Sequence, residues 1–452
     1  MIDSVLQDGA KFAATEVAIP PKHRGSVGRS RTYPDYLYLL WPELRAIFGS
    51  NTAVERELGR GGWWRYIRGE MARLYPDLPL LPAQPPRRQH YEYMRNRYLE
   101  EDGALRRVLV RHTEFAVSQA KEASNLTADA GGSPSHPAME RTLYGDGTVI
   151  KAIYKSSNGR RVNKSTGEIR MVRHDPDAKG FTEGGGNPVH GIKVAAVSTR
   201  RAEGRFILGL EHVTGGDEAG VAVALIRRVV EHAPAAEAVV YDMALRGTHH
   251  NELMTQLGLV PVVKVHAKKE GPDGRHAGDF EPKTIDLDDV RVALPDGREV
   301  TARIAAVNGW LCVKSIKEDG EPHFEPLPYV RIQRRRNHKG FRFYAQVRLP
   351  AEYGGKEATV RLHENEDDVR RGIPRAENVR AIPEGSADFK RLHVLRNDAE
   401  SINRGIDDSF FLRRASAKGW RRVMIDLLAY ARVVNAVTAA RVRASGSKAA
   451  AA

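Results

Sequence analysis

The sequence has a single cysteine, Cys312, and few aromatic residues, which make up 7% of the chain. One thiol cannot form an internal disulfide or supply a zinc site with several cysteines, so both kinds of cross-link are excluded. No apolar run reaches the roughly 18 residues that cross a bilayer, and residues 1–20 lack the basic and apolar blocks of a signal peptide. We therefore expect a cytoplasmic protein that makes no contact with a membrane.

The composition is otherwise that of a globular protein. The 452 residues are 41% hydrophobic and 28% charged, which excludes collagen-like and wholly disordered chains and suggests about two to four domains. The 71 Lys and Arg exceed the 57 Asp and Glu by 14. A basic surplus of this size favours polyanionic partners such as nucleic acid. The alternative is a protein that is basic only for solubility.

The positive charge is concentrated towards the C-terminus. Residues 386–452 hold 13 basic and 6 acidic residues, whereas residues 1–140 hold 19 and 17. The C-terminal region is therefore the predicted electropositive surface.

The N-terminal third, residues 1–137, is predicted to be helical. Short aromatic-rich helices with glycine breaks are expected over residues 34–74, and a proline-rich linker over 75–88. A long polar helix is predicted at about 89–123, and a second linker of small and turn-forming residues covers 125–137.

Residues 138–267 change to the pattern of an α/β fold. Three strands are predicted first, in TLYGDGTVIKAIY, PVHGIKVAAVSTR and RFILGLEHV. A helix over 217–233 with Asp217 as its N-cap, a buried strand AEAVVYD, a helix THHNELMTQLG closed by Gly258 and a strand LVPVVKVHA follow. The predicted order is β-β-β-α-β-α-β.

Two further segments complete the chain. Residues 268–385 are predicted to be a β-rich insertion, with a hairpin turn at Pro295-Asp296-Gly297. Residues 386–452 return to a helical period and include a second long helix, GWRRVMIDLLAYARVVNAVTAARVRA.

Three carboxylates fall at informative places in this order. Asp146 lies in the first strand, Asp242 ends the buried run AVVYD, and Glu400 lies on the helix after the insertion. In sheets of this kind, ligands gather at the carboxyl ends of the strands. Carboxylate oxygens are the ligands that Mg²⁺ prefers, and two such ions can support an in-line phosphoryl displacement.

The three carboxylates and the element order resemble those of a known family, the DDE transposases of bacterial insertion sequences. The matching stretches are GDGTVIKA, VVYDMALRGTHHNELMTQLGLVPVVKV and RNDAESINRGIDDSFFLRRASAKGW. The β-rich insertion is similar to that of the cut-and-paste branch. The resemblance covers residues 140–445 and implies an α/β fold with an RNase H-like mixed sheet, flanking helices and a helical N-terminal domain.

The resemblance also implies a function and its cofactor. It implies a transposase that cleaves and joins double-stranded DNA at element ends with two Mg²⁺ ions, for which Mn²⁺ can substitute. Asp242 would bridge the two ions, and Asp146 and Glu400 would each hold one. By analogy, residues 1–137 would bind the DNA ends, and the protein would act as a homodimer on DNA at the nucleoid.

Arg396 supports the assignment of Glu400, because residues i and i+4 share one face of a helix. The pair matches part of the family's Tyr, Arg, Glu, Lys signature, but His393 replaces the Tyr and Asp407 replaces the Lys. The residues expected to bind DNA phosphates are all arginines of this region: Arg396, Arg404, Arg413, Arg414, Arg421 and Arg422.

Each assignment has a structural alternative. Asp146-Gly147 is also a common hairpin-turn dipeptide, Asp242 could be a helix cap or a solvated strand end, and Glu400 could simply pair with Arg396. The whole chain could be a catalytically inactive DNA-binding protein derived from a transposase, or a purely hydrolytic nuclease on the same core.

Several other candidates are expected to be structural. They are the histidines His249, His250 and His266, the glycines Gly184, Gly185 and Gly186 of a loop, and the core tryptophans Trp41, Trp63 and Trp64. Asp175 and Asp177, in RHDPDAKG, resemble a recurrent loop of the family, and a turn explains them equally well.

Overall fold

A computed structural model describes most of the chain, namely residues 1–21, 31–154, 158–182, 187–265, 283–396, 404–405, 408–409 and 413–451. The chain is mixed α/β, and it divides into two compact units, each built from segments that are separated in the sequence. The first comprises Met1–Asn125, Gly147–His232 and Glu400–Ala452, and the second comprises Leu126–Asp146 and Ala233–Ala399.

The part of the first unit that the structure describes begins with seven α-helices, which confirm the helical character predicted for the N-terminal region. They are α1 (Ile2–Gln7), α2 (Ala10–Ala18), α3 (Leu37–Phe48), α4 (Asn51–Gly59), α5 (Gly62–Leu74), α6 (Arg88–Met94) and α7 (Asp102–Glu122). The predicted helix at 89–123 is interrupted. A π-helical turn over Arg95–Leu99 follows α6, and Glu101 starts α7 afresh by accepting hydrogen bonds from Gly103 N and Ala104 N.

The β-strands come next along the chain. They are β1 (Thr142–Lys151), β2 (Arg160–Val162), β3 (Ile169–Met171), β4 (Lys179–Thr182), β5 (Pro188–Arg201) and β6 (Gly204–His212). The three predicted strands correspond to β1, β5 and β6, and the last two form an antiparallel hairpin. Helix α8 (Glu218–His232) follows, with Asp217 Oδ1 accepting from Gly220 N at 2.8 Å, as expected of an N-cap.

A hydrophobic core joins the chain's two ends within the first unit. The long C-terminal helix, Trp420–Ala451, contributes Val423, Leu427 and Ala431 to the cluster that holds Leu40 of α3 and Ile207 of β6. The expectation that no apolar stretch is long enough to cross a bilayer is wrong for this helix, which has an apolar window of that length, but 78% of the window is buried inside the fold. Its hydrophobicity is that of a core helix.

The second unit holds the other half of the predicted sheet. Strand β7 (Ala238–Val240), helix α9 (Gly247–Thr255) and strand β8 (Val260–Val262) follow one another along the chain. The first residues of β1 pair in parallel with β7, and β7 pairs in parallel with β8. Since these strands are buried on both faces, their apolar residues run without alternation.

The insertion is β-rich, as predicted. An antiparallel sheet contains β9 (Thr284–Ala293), β10 (Glu299–Val307), β11 (Trp310–Ile316) and β12 (Pro322–Pro326), and another contains β13 (Tyr329–Asn337), β14 (Gly340–Arg348) and β15 (Glu357–Arg361). The predicted turn closes β9 and β10, with Gly297 N donating to Leu294 O. The short helices α10 (Glu366–Arg371), α11 (Arg375–Asn378) and α12 (Ala387–His393) follow. The C-terminal helix, Trp420–Ala451, is labelled α13.

Strand β1 passes from the second unit into the first between Asp146 and Gly147. Followed through β1, the strand order is β6, β5, β1, β7, β8, with β4 pairing with the start of β5. The predicted order of strands and helices along 138–267 is therefore confirmed, with the short strands β2, β3 and β4 added.

Candidate functional site

Two parallel strands bring Asp146 and Asp242 to equivalent positions. In the pairing of β1 with β7, Tyr144 lies opposite Val240, an offset of 96 residues. The two aspartates are also 96 residues apart. The pairing ends at Tyr144 and Val240, and continuing the same register by two residues would place Asp242 about 4.8 Å from Asp146 in the direction across the strands.

Asp146 lies inside a strand, so the turn alternative for Asp146-Gly147 is wrong. Gly147 is explained by a close contact instead. A Cβ at this position would overlap the carboxylate of Glu218, which lies in the first turn of α8. Successive side chains in a strand point to opposite faces, so Glu218 lies against the face that Asp146 does not use. The carboxylate of Glu218 pairs there with Lys193.

Asp242 lies two residues beyond the end of β7 and is half-buried. Its Oδ1 accepts a hydrogen bond from Ala244 N at 2.8 Å, which fixes the turn that leads into α9. Asp242 therefore has a structural role at the end of the strand, as one of the alternatives from the sequence proposed. This hydrogen bond also fixes the orientation of the carboxylate at the end of the strand.

Arg396 contacts the first aspartate. Its Nη2 lies 3.6 Å from Asp146 Oδ1, and the side chains of Arg396 and Asp146 are 24% and 10% exposed. Arg396 lies in a 3₁₀ turn that follows α12, and the ring of His393 stacks on Phe389 at a centroid distance of 4.6 Å. Burial lowers the pKa of His393. Glu400 and Asp407 lie outside the described residues.

The donor set of this site fits a divalent cation. Asp146 in β1 and Asp242 after β7 carry the hard oxygen ligands that Mg²⁺ requires, and the mostly buried Asp146 carboxylate lies near the Arg396 guanidinium. In the part of the chain that the structure describes, no three His, Cys, Asp or Glu side chains form a metal-binding group. The third expected ligand, Glu400, is not among these residues.

No family model matches the chain, and no curated protein matches it either. The residues of the site are therefore interpreted from their own geometry.

The expected phosphate-binding arginines fall into two groups. Arg404 and Arg413 have side chains that are 80% and 64% exposed, and both lie near Asp408, at 3.8 and 3.6 Å. The others of the first unit have closer partners. The bonds are Arg414 Nη1 to Ala152 O at 2.8 Å, Arg421 Nε to Asp102 Oδ1 at 2.6 Å, and Arg422 Nε to Glu100 Oε1 at 2.7 Å.

Two of the three histidines are described, and both serve the local structure. His250 is buried with its Nδ1 3.2 Å from Ala376 O, and His249 Nδ1 accepts from Arg246 N at the start of α9. Burial lowers the pKa of His250 well below its usual value, so its ring is neutral. His266 and Gly184, Gly185 and Gly186 lie outside the described residues.

The RHDPDAKG loop caps a helix. Asp175 is fully buried and accepts from Gly419 N at 2.9 Å, and Asp177 accepts from Trp420 N at 3.1 Å. These bonds satisfy amide groups at the start of α13, which explains the two aspartates without a catalytic role.

The tryptophans differ from one another. Trp41 and Trp64 are core residues, 1% and 2% exposed, whereas Trp63 is 41% exposed, so the core prediction is wrong for Trp63.

One basic element was not predicted from the sequence. Strands β2 and β3 form a two-stranded antiparallel ribbon between β1 and β4. The available signal was the mixture of basic and large apolar residues in RRV and IRM, and each run is too short to stand out from a loop.

Proposed function

We propose that this protein is a DNA transposase of the DDE class, which cleaves and joins DNA strands at the ends of an insertion sequence. The observation that carries the proposal is the register of β1 with β7, whose offset equals the spacing of Asp146 and Asp242. A register error of one residue would send the two side chains to opposite faces, so this agreement is a specific one.

The fold proposed for the core is RNase H-like. An antiparallel pair, β5 and β6, precedes two strands parallel to β1, and α8 and α9 lie in the connections. This order supports the proposal because it delivers Asp242 to the carboxyl end of its strand, where substrates bind in sheets of this type.

Asp146, Asp242 and Glu400 would hold the two Mg²⁺ ions, with Mn²⁺ as a substitute. When bound, the ions supply activation of the attacking oxygen and stabilisation of the leaving one. Arg396 neutralises Asp146 and orients its carboxylate. The exposed guanidinium groups of Arg404 and Arg413 are suited to DNA phosphates. We further propose action in the cytoplasm as a homodimer on DNA.

The decisive experiment compares the wild type with Asp242→Asn. The gene with its native flanks is placed on a donor plasmid, and excision and insertion are scored in cells. We expect Asp242→Asn to lower both by a factor of about 10³ or more while DNA binding is kept, since the amide cannot supply the charge that a cation requires. Asp146→Asn and Glu400→Gln are tested alongside.

Asp319→Asn is the matched control, because Asp319 is an exposed turn residue whose Oδ1 accepts from Glu321 N, a bond that the amide preserves. Full movement by Asp242→Asn would overturn the assignment. Cleaved but never joined DNA would identify a hydrolytic nuclease. DNA binding without cleavage by an expressed wild type would identify a catalytically inactive DNA-binding protein.

A further inference from the structure

The ribbon formed by β2 and β3 is a small structure that folds back on itself. Arg160 pairs with Met171, Arg161 with Arg170, and Val162 with Ile169. The turn is closed by Asn163 N donating to Glu168 O and by Gly167 N donating to Asn163 O.

One face of the ribbon is mostly apolar and exposed, and Arg160, opposite Met171, is its basic residue. The side chains of Val162, Ile169 and Met171 are 57%, 60% and 76% exposed, and Val162 lies directly opposite Ile169. Three large apolar side chains on one face of a short ribbon form a surface suited to a partner, unlike single scattered hydrophobic residues.

The charges on the ribbon oppose its own folding. Residues 158–173 contain five Lys and Arg and one Glu. Arg161 and Arg170 lie directly opposite each other, and like charges at such positions destabilise a strand pair. An isolated two-stranded ribbon is only marginally stable in water. A polyanion would relieve this repulsion.

We propose that the β2–β3 ribbon binds duplex DNA in the major groove. The groove is about 12 Å wide and admits a two-stranded ribbon. Val162, Ile169 and Met171 lie against the base edges, where thymine methyl groups offer apolar contact. Arg161 and Arg170 project from the opposite face, at the mouth of the groove, and extend sideways to phosphates on the two rims. The ribbon is thus a second DNA-binding element beside the arginines predicted in the C-terminal region. Only the choice of DNA as the polyanion rests on the proposed function.

The test measures binding of the full chain to duplexes of its native flanking DNA at several salt concentrations. Every protein carries Asp242→Asn, so strand cleavage does not affect the measurement. The variant Arg161→Gln/Arg170→Gln removes two positive charges from the ribbon. Arg298→Gln/Arg370→Gln removes two from exposed positions of the insertion, outside the region expected to bind DNA, and is the matched control.

We expect the ribbon variant to bind about tenfold more weakly, with a log–log salt slope smaller by about 1.8, since each phosphate contact contributes about 0.9. The control variant should bind like its parent. A third variant, Val162→Thr/Ile169→Thr/Met171→Thr, keeps the charges and should weaken binding with no change of slope.

A cross-linking measurement locates the contact. Cys312 is 1% exposed, so Lys164→Cys introduces the one accessible thiol among the described residues. A photoreactive group on that thiol should cross-link to the duplex, and the same group on Asp319→Cys should not.

Equal binding and equal salt slopes for the ribbon and control variants would overturn the proposal. Normal excision by the ribbon substitutions in a chain that keeps Asp242 would leave the transposase assignment intact. A wild type that binds no duplex would overturn both. Loss of binding to vesicles of phosphatidylserine and phosphatidylcholine, without loss of DNA binding, would instead identify a membrane contact. Ribbon-dependent binding without any strand cleavage would leave the ribbon site standing and the transposase assignment overturned.

Discussion

His112 is a buried histidine whose ring must stay neutral in the folded protein. Its Nε2 lies 3.1 Å from Ile207 O, and burial, together with the nearby Arg432 cation, lowers its pKa to about 3. The unfolded chain has the ordinary histidine pKa of about 6.5. Between these two values the unfolded chain binds a proton that the folded protein does not.

This difference predicts a pH dependence of stability. The contribution of His112 is fully present above about pH 6.5 and is lost as the pH falls towards 3, by up to about 1.4 kcal/mol per pH unit. Urea unfolding near pH 7.5 and near pH 5.5 measures it. In His112→Gln, whose amide can donate to the same carbonyl, the loss of stability between these pH values should be smaller by about 1.4 kcal/mol.

His323 is exposed, so His323→Gln is the control for this measurement and should leave the pH dependence unchanged. An unchanged pH dependence in His112→Gln would show that the ring is protonated in the folded state.

At the scale of elements, the turn of the β13–β14 hairpin packs against the end of α9, the helix that follows Asp242. A Cβ at Gly340 would lie 2.2 Å from the backbone oxygen of Thr255, and Arg334 Nη1 donates to Gly258 O at 2.8 Å. The insertion therefore supports the helix on which the turn at Asp242 depends.

Gly340→Ala should consequently destabilise the protein by roughly 1–3 kcal/mol more than Gly320→Ala. Both glycines lie in hairpin turns at positive φ, but nothing lies within 4 Å of a Cβ at Gly320. Thermal or urea unfolding of the two variants measures the difference. Equal destabilisation would mean that the hairpin turn can move away from α9.

The elements that the sequence predicted well are those with long, uniform patterns. Strands β1, β5 and β6 and helix α13 were found because apolar residues or a helical stripe continue over many positions. The break at Arg95–Leu99 was missed because a π-helical turn leaves the polar helical composition unchanged.

The candidate site was predicted only in part. The sequence pointed to Asp146 and Asp242 through their places in the strand order. The register of β1 with β7, which has an offset of 96 residues, depends on the pairing of strands that are distant in the sequence. The reason for Gly147 was likewise not visible, because the approach of Glu218 is a tertiary contact. Local pattern alone therefore left the hairpin turn as an open alternative.

At the scale of the whole chain, buried ion pairs join the N-terminal and C-terminal helices. Arg45 of α3 lies 2.8 Å from Asp426 of α13, and Arg432 lies 3.6 Å from Glu43, with all four side chains at most 7% exposed. Burial raises the pKa of Asp426, and it raises that of Glu43 to about 7.

Removing one partner of the first pair should cost more than removing both. Arg45→Met leaves the Asp426 carboxylate buried without its cation and should destabilise the protein by about 3–5 kcal/mol. The double variant Arg45→Met/Asp426→Leu should recover most of this loss, because an apolar pair needs no compensation. Urea unfolding of the two variants measures the difference, and a double variant no more stable than Arg45→Met would contradict a buried pair.

The division of the chain into interleaved units also affects its synthesis. The first unit starts with Met1–Asn125 but needs the segment that begins at residue 400, about 275 residues later. At about 5–20 residues per second, a ribosome takes roughly 15–55 s to cover that distance. During this interval the apolar face of α3 is without α13, so it is exposed to chaperones that bind the nascent chain.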